Sequence, residues 1–387
     1  MDYQLSEDHE AIREICSEIA ERYVLPVREE LDRENRFPRE IMGKMAESDL
    51  FTIYVPEEYG GTDMGVLALC IATEELSKTC GGVAVCYAAN ALGALPLILM
   101  GTEEQKKRYL PSLASGEKLA AFALTEPDAG SDAAAIKTRA EKEGDEYVIN
   151  GTKQWITNGG EADVYTVIAM TDPGRGTRGT SAFIVEDGTP GFSYGKKEDK
   201  MGIRASCTRE LIFEDCRIPA GNLIGREGLG FAVAMKTLNH SRPGVAAQAV
   251  GIAQGALDEA LAYAAQRKQF GQRIDSFQGM QFMLADMATR IEAARALTYA
   301  AARMIDQGAK RFEKEAAMAK VFASDTAMRV TTDAVQVLGG YGYMREYPVE
   351  KMMRDAKITQ IYEGTNQIQR SIIATSLIRE SASRRKS

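Results

Sequence analysis

Histidine and paired cysteines are scarce in this sequence, and each shortage removes a class of site. Only two histidines occur among 387 residues, so a Ser-His-Asp or Cys-His site has almost no candidate for its base. The six cysteines include no C-x-x-C pair, and in a chain of this length they are typical of reduced intracellular thiols. We therefore expect neither a disulfide framework nor a zinc or other metal site.

Clustered positive charge is also missing from the sequence, and long apolar runs are not expected. The formal net charge is −8 and the Lys and Arg residues are scattered, which argues against a nucleic-acid surface. No apolar run is expected to reach the roughly 18 residues of a membrane span. The acidic N-terminus resembles neither a signal peptide nor a transit peptide. A cytoplasmic, bacterial-type protein is expected, or a mitochondrial-matrix protein if the chain is a processed eukaryotic one.

Helical and β-rich patterns divide the sequence into three parts. Up to about residue 118, apolar residues recur at helical spacing between Pro and Gly breaks. From about 119 to 225, short β-rich runs alternate with turn residues, as in a small antiparallel sandwich or barrel. Long helical patterns then return at 244–267, 279–307, 311–338 and 368–378. The prediction is an α+β protein with an N-terminal helical domain (1–118), a β domain (119–225) and a C-terminal helix bundle (226–387).

One carboxylate, Glu363, lies where a helical pattern breaks. Apolar residues precede it at helical spacing, and Gly364 follows where a helix would end. Gly364 permits close approach of a flat ligand, and Thr365, Asn366 and Gln367 offer short polar groups to hold one. Taken alone, the Glu-Gly pair indicates a helix C-cap with a solvated carboxylate.

The only tryptophan, Trp155, lies in the stretch N-G-T-K-Q-W-I-T-N-G. Its large ring could lie against a planar heterocycle while Thr157 bonds the polar edge of that ligand. The alternative is a ring that fills one end of the β barrel.

A polar turn at 122–132 reads F-A-L-T-E-P-D-A-G-S-D. Thr125 and Ser131 bracket a Pro and a Gly, so hydroxyls and backbone N–H groups could converge on an anionic or amide-rich ligand. By itself, the stretch is also compatible with an ordinary polar loop.

A cluster of Arg, Gln and Phe occupies residues 267–278, R-K-Q-F-G-Q-R-I-D-S-F-Q. Arginine binds phosphate through two parallel hydrogen bonds, and the aromatic rings could flank an adenine, so the cluster suits a dinucleotide. A solvated helix end is the alternative interpretation.

Glycines recur in the stretch Q-V-L-G-G-Y-G at 336–342 and would allow a phosphate or a neighbouring helix to approach closely. The stretch lacks G-x-G-x-x-G and follows a helical pattern, so a Rossmann site is not indicated.

Together these stretches resemble the acyl-CoA dehydrogenase family. Seven segments occur in the family order and cover nearly the whole chain: P-E-E-Y-G-G at 56, T-E-P-D-A-G-S-D, W-I-T-N-G, L-N-H-S-R at 238, R-K-Q-F-G, Q-V-L-G-G-Y-G-Y and R-D-A-K-I-T-Q-I-Y-E-G-T. The resemblance implies a helical domain, a β barrel and a helix bundle in a homotetramer with one FAD in each subunit.

The resemblance also implies which residues bind FAD. Those lining the flavin ring would be Phe122, Leu124, Thr125, Gly130, Ser131, Trp155, Ile156 and Thr157. The dinucleotide part would be held, from the neighbouring subunit, by Arg267, Phe270 and Gln278. The residues completing the cofactor site would be Gln336, Gly339, Gly340, Thr365 and Gln367.

Glu363 falls where most family members carry the catalytic base. In isovaleryl-type and long-chain-type members the base lies at the position of Ser241, and a serine cannot perform that role, so those substrate classes are disfavoured. Ser131, Asn239, Arg242 and Gly364 would contact the acyl-CoA substrate. Asn239 replaces an aspartate that is common in the family.

By resemblance, the expected activity is α,β-dehydrogenation of an acyl-CoA to the trans-2-enoyl-CoA, with electrons passed to an electron-transfer flavoprotein. A short or medium straight acyl chain is favoured, and residues 87–95 are candidates for the pocket floor. A branched or alicyclic acyl-CoA, such as cyclohexanecarboxyl-CoA, is the alternative substrate. An acyl-CoA oxidase and a non-catalytic FAD- or acyl-CoA-binding protein are the competing functions.

Overall fold

The N-terminal third of the protein is helical, as predicted. The computed structural model describes residues 3–384, so the outermost residues of the two predicted terminal domains lie outside the described residues. Helix α6 begins at a capping box in which Thr102 and Gln105 exchange side-chain and backbone hydrogen bonds. The helices of this part are α1 (Glu7–Ile19), α2 (Arg28–Glu34), α3 (Arg39–Glu47), α4 (Gly65–Thr79), α5 (Gly81–Met100) and α6 (Glu103–Ala114).

Helix α5 corrects one expectation from the sequence. Its 20 uncharged residues make it long and apolar enough, by length and composition, to cross a membrane. The expectation that no run reaches this length is therefore wrong. Within the protein, 67% of its most apolar window is buried, and α5 packs against α4 and the first strand of the β domain. Burial on nearly all sides explains why the helix has no polar face.

The β domain is one sheet of eight strands. The strand order is β6-β7-β3-β2-β4-β5-β8, with β1 beside β4. Most pairs are antiparallel, but β1 and one residue of β2 pair with β4 in parallel, so the predicted all-antiparallel arrangement is only partly correct. The strands are β1 (Ala120–Ala123), β2 (Arg139–Glu143), β3 (Glu146–Thr157), β4 (Val164–Met170), β5 (Thr180–Glu186), β6 (Phe192–Lys197), β7 (Thr208–Pro219) and β8 (Leu223–Ile224).

A bundle of long helices and one short hairpin make up the C-terminal part. The helix predicted to begin at residue 244 begins at Gly230 and runs through Pro243. Proline removes one backbone hydrogen bond, and the packing of this helix against its neighbours offsets the loss. The elements are α7 (Gly230–Gln266), β9 (Lys268–Gln269), β10 (Gln272–Arg273), α8 (Gln278–Asp306), α9 (Glu313–Leu338), α10 (Val349–Thr359) and α11 (Asn366–Arg384).

Two hydrophobic cores hold these parts together. One is continuous from the N-terminal helices through the β domain, and the other fills the C-terminal bundle. Helix α7 joins the two cores, because it crosses α4 so closely that Gly251 and Gly255 face backbone carbonyls of α4. A buried ion pair between Glu74 of α4 and Arg295 of α8, at 2.7 Å, strengthens the same junction. The pocket described next therefore has rigid walls from all three parts.

Candidate active site

A cavity of about 470 Å³ lies where the N-terminal helices, the β domain and the bundle meet. Helices α5 and α7 supply mostly apolar walls, the β domain supplies the loop after β1 and the end of β3, and the turn between α10 and α11 supplies Glu363. A mostly apolar cavity with a few converging polar groups is the usual form of a ligand site.

Glu363 is presented by a strained turn. Helix α10 ends at Thr359, earlier than the sequence pattern indicated, and the backbone then adopts φ = 51° at Glu363 and 90° at Gly364. A left-handed conformation is costly for a residue other than glycine, and such residues often occur at functional sites. The Gln369 amide donates to the carbonyls of Glu363 and Gly364, at 3.1 and 2.9 Å, and so holds the turn in place.

A buried lysine braces the same turn. Lys320 of α9 is fully buried, and its ammonium group donates to the Gly364 carbonyl at 2.9 Å and to the side-chain oxygen of Asn366 at 3.0 Å. Asn366 in turn donates to Ser324 and Asp325 of α9. Burial lowers the pKa of Lys320 to about 7, against the opposing effect of the Glu363 charge.

The surroundings of Glu363 make it a stronger base than a solvated carboxylate. Burial raises its pKa, while the hydroxyl of Ser241 and the positive charges of Arg242 and Lys320 lower it. The raising effect of burial is the larger. Ser241 of α7 donates a hydrogen bond to Oε2 of Glu363. The carboxyl group is therefore placed and tuned by α7 and α9 together.

A bulge in β3 turns Trp155 toward the cavity. The pairing of β3 with β7 shifts register between Lys153 and Ile156, and Trp155 has φ = 58°. The indole is 58% exposed and lines the cavity together with Ile156 and Thr157. Trp155 therefore does not fill one end of the β domain, and its exposed face is free to contact a flat ligand.

A buried ion pair fixes the loop that follows β1. Lys153 is fully buried and donates to Glu126 at 2.7 Å and to the Leu124 carbonyl at 2.9 Å. Glu126 also accepts hydrogen bonds from the backbone N–H groups of residues 137 and 138. Burial lowers the pKa of Lys153 to about 8. Because this pair ties both ends of the loop to β3, the cavity wall from Leu124 to Ser131 is preformed.

A second, separate pocket lies on the bundle. Its aromatic wall includes Tyr341, over whose ring the guanidinium group of Arg267 lies at 5.4 Å. The β9–β10 hairpin turns through Phe270 and Gly271, both with positive φ, and leaves the Phe270 ring 94% exposed. The cavity at Glu363 and this pocket share no lining residue.

Three family models match consecutive parts of this chain. They are the N-terminal domain of acyl-CoA dehydrogenase at residues 6–117, the middle domain at 121–216 and the C-terminal domain at 228–378. The chain belongs to the acyl-CoA dehydrogenase family. The resemblance inferred from the sequence motifs and the predicted fold class are both confirmed.

Known proteins resemble this chain over nearly its whole length. Cyclohex-1-ene-1-carbonyl-CoA dehydrogenase of Geobacter metallireducens is 52% identical over 376 residues, which are 97% of this chain and 99% of the relative. The solved structure of butyryl-CoA dehydrogenase from Megasphaera elsdenii has a TM-score of 0.95 at 48% identity, covering 98% of this chain and 100% of that one. A chain from a study of the electron transferring flavoprotein of Acidaminococcus fermentans has a TM-score of 0.96 at 53% identity, with the same coverage.

The residues to which the family resemblance assigns FAD fall into three groups. Those that line the cavity with Glu363 are Phe122, Leu124, Thr125, Gly130, Ser131, Trp155, Ile156 and Thr157. Those that line the second pocket are Arg267, Phe270, Gly339 and Gly340. Those that line neither are Gln278, Gln336, Thr365 and Gln367.

The residues expected to contact acyl-CoA lie in or beside the same cavity. Ser131, Arg242 and Gly364 line it, whereas Asn239 lies one helical turn from Arg242 and lines an adjoining groove. Arg242 donates to the side-chain oxygen of Asn239. Tyr87, a candidate for the pocket floor, is instead fully buried and donates to the Leu50 carbonyl at 2.8 Å.

Two residues near Glu363 were missed in the sequence. Gln248 of α7 lines the cavity and accepts a hydrogen bond from the Tyr362 hydroxyl. Lys320 lies between Ala316, Ala319 and Ala323 in a run of buried alanines. A lysine among buried alanines was a visible signal, but its partners Gly364 and Asn366 lie more than 40 residues further along the chain.

Proposed function

We propose that this protein is an FAD-dependent acyl-CoA dehydrogenase in which Glu363 is the catalytic base. The observation that carries the proposal is a single cavity that joins a half-buried carboxylate with a raised pKa to an exposed indole and a preformed polar loop. A base for an α-hydrogen must be more basic than a free Glu, whose pKa is about 4.3. The burial of Glu363 provides that change.

The residues of the cavity fit a flavin. Trp155 offers an exposed flat ring, Thr157 offers a hydroxyl beside it, and open space lies in front of Gly130. The cavity is also bounded by the loop that Lys153 and Glu126 hold in place. Bound there, FAD would supply the acceptor for the hydride that leaves the β-carbon.

Glu363 would remove the α-proton of the acyl thioester and become a neutral carboxylic acid. The α-carbon keeps the electron pair of that bond, which forms the new double bond as the β-hydrogen leaves with its own pair, giving a trans-2-enoyl-CoA. Within residues 3–384, the backbone N–H of Glu363 has no hydrogen-bond partner. It is therefore available to stabilise negative charge on the thioester oxygen.

A second copy of the chain would complete the cofactor site. The dinucleotide residues Arg267 and Phe270 line a pocket separate from the cavity, and Phe270 is almost fully exposed. An exposed aromatic ring next to an arginine suits contact with a dinucleotide that is anchored in a neighbouring subunit. We therefore propose that a neighbouring subunit contributes to the site, within the homotetramer that the family resemblance implies. The proposed domains of each subunit are 1–118, 119–225 and 226–387.

The relatives support the proposed partners and location. The similarity to a chain studied with an electron transferring flavoprotein favours such a flavoprotein as the electron acceptor. The similarity to bacterial family members favours a cytoplasmic protein that does not span the membrane. The acyl group would be short or medium and straight, as the butyryl-CoA relative indicates, while the cyclohexene relative supports an alicyclic acid as the alternative.

Anaerobic mixing of the purified holoprotein with a panel of acyl-CoA esters tests the proposal. Butyryl-, octanoyl- and cyclohexanecarboxyl-CoA are the first probes, and loss of flavin absorbance reports hydride transfer. Glu363→Gln should keep the bound flavin but abolish bleaching, because an amide cannot accept the α-proton.

Three outcomes would contradict the proposal. A Glu363→Gln variant as fast as wild type would remove Glu363 from the mechanism. Failure of every ester to bleach the wild-type flavin would favour a binding protein. Peroxide formation at the rate of wild-type turnover would indicate an oxidase instead of a dehydrogenase.

A further inference from the structure

The hydroxyl of Ser241 has two possible acceptors, and only one of them changes charge. It lies within reach of Oε2 of Glu363 and, at 3.2 Å, of the Leu238 carbonyl one turn earlier in α7. A serine hydroxyl carries one proton and cannot donate to both acceptors at once. The Ser241 hydroxyl therefore donates either to the carboxyl group or to the backbone carbonyl.

The protonation state of Glu363 decides this choice. A hydrogen bond to an ionised acceptor is roughly twice as strong as one between neutral groups, so the ionised carboxylate takes the proton of Ser241. Once Glu363 is a neutral acid, its own O–H can donate to the serine oxygen. The Ser241 hydroxyl is then free to donate to Leu238. Both arrangements leave the groups satisfied without movement of α7.

The geometry also leaves one carboxylate oxygen available. Within residues 3–384, Oε2 is the oxygen of Glu363 that accepts a hydrogen bond, and Oε1 accepts none. Ser241 is only 8% exposed and lies on a long helix, two residues before Pro243. The hydrogen bond therefore restrains the rotation of a carboxyl group that projects from a short turn.

We propose that Ser241 is a positioning residue for the base: it holds Oε2 of Glu363 against α7, favours the ionised carboxylate, and turns to Leu238 when Glu363 takes up the substrate proton. This inference rests on the proposed function. The direction of the pKa effect agrees with it, since the hydrogen bond from Ser241 lowers the pKa of Glu363 against the raising effect of burial.

Other ionisable groups around Glu363 stay the same when only Ser241 is changed. Among the described residues, these are Arg242 on α7, Lys320 on α9 and the phenol of Tyr362 in the turn itself. Substitution of Ser241 alone therefore measures the effect of its hydroxyl on Glu363. Threonine keeps the hydroxyl, and valine has the shape of threonine without it, which makes Ser241→Thr and Ser241→Val a matched pair.

Infrared difference spectroscopy of the substrate-free holoprotein measures the protonation of Glu363 directly. The band of the protonated carboxyl is followed against pH and assigned to Glu363 by its loss in Glu363→Gln. Removal of a hydrogen bond to a charged group should raise the midpoint of the titration by about one pH unit in Ser241→Ala and Ser241→Val. Ser241→Thr should keep the wild-type midpoint.

The rate of anaerobic flavin bleaching by butyryl-CoA provides the second measurement. We follow this rate against pH. The acidic limb of the profile, where Glu363 becomes protonated, should move to higher pH in the Ala and Val variants and stay in place in the Thr variant. A midpoint shared by all four proteins would overturn the proposal, as would a Thr variant that behaves like Val. If Glu363→Gln bleached normally, the proposed function would fail, while the infrared midpoints would still decide the effect of Ser241 on Glu363.

Discussion

Replacing Lys320 with methionine should change the pH dependence of stability in a predictable way. Methionine has a similar length and no charge, so the substitution removes the buried ammonium group with little change of volume. Burial lowers the pKa of Lys320 from 10.5 to about 7 in the folded protein. In the unfolded chain, the lysine keeps its ordinary pKa.

The sign of the effect follows from proton binding. Between pH 7 and 10.5 the unfolded chain binds one more proton at this site than the folded protein, so the free energy of unfolding of the wild type rises with pH. Each full pH unit in that range is worth about 1.36 kcal/mol. From pH 6 to pH 9 the wild type should gain about 2.7 kcal/mol relative to the variant. The penalty for the buried charge is complete below pH 7 and is relieved as the pH rises.

Urea unfolding at pH 6 and pH 9, at fixed protein and FAD concentration, measures this change. At pH 6 the buried charge of Lys320 lowers the free energy of unfolding of the wild type. The hydrogen bonds that Lys320 donates to Gly364 and Asn366 oppose this effect. Lys107→Met is the matched control, because it removes a lysine from an exposed site on α6 instead of a buried one. A Lys320→Met difference that is constant between the two pH values would refute the reasoning.

Two further predictions concern the junction between the N-terminal helices and the bundle. Gly251→Ala should lower the free energy of unfolding by at least about 2 kcal/mol, because its new Cβ would lie 2.1 Å from the Glu74 carbonyl oxygen. Gly43→Ala is the control. Because Gly43 faces open space on α3, this substitution should raise the free energy of unfolding by roughly 0.5–1 kcal/mol. Arg295→Met should cost about 3–5 kcal/mol, because it leaves the carboxylate of Glu74 buried without its cation, and adding Glu74→Gln should recover part of the loss. Urea unfolding measures both, and equal effects of the two Gly→Ala variants, or no recovery in the double variant, would contradict them.

Local patterns in the sequence predicted the elements whose signals lie within one segment. The helices at 278–306 and 313–338 match predictions within two residues, since a periodic apolar face needs no distant information. The start of α7 was missed because Pro243 breaks the local pattern, and only packing against other helices explains why the helix continues. The length of α5 was misjudged because its small residues do not form an obvious hydrophobic run, although none is charged.

The sequence also predicted Glu363 as a candidate base, but it did not predict the surroundings that change the pKa of this carboxyl group. The sequence shows a glutamate followed by a glycine, and nothing in that pair distinguishes a solvated helix end from a buried carboxyl group. The distinction comes from Ser241 on α7 and Lys320 on α9, which meet the turn only in the folded chain. Burial raises the pKa of Glu363, and these two groups lower it, so the folded chain sets the proton affinity of this carboxyl group by opposing effects. Burial alone would raise the pKa of Glu363 further, and the two donors alone would lower it.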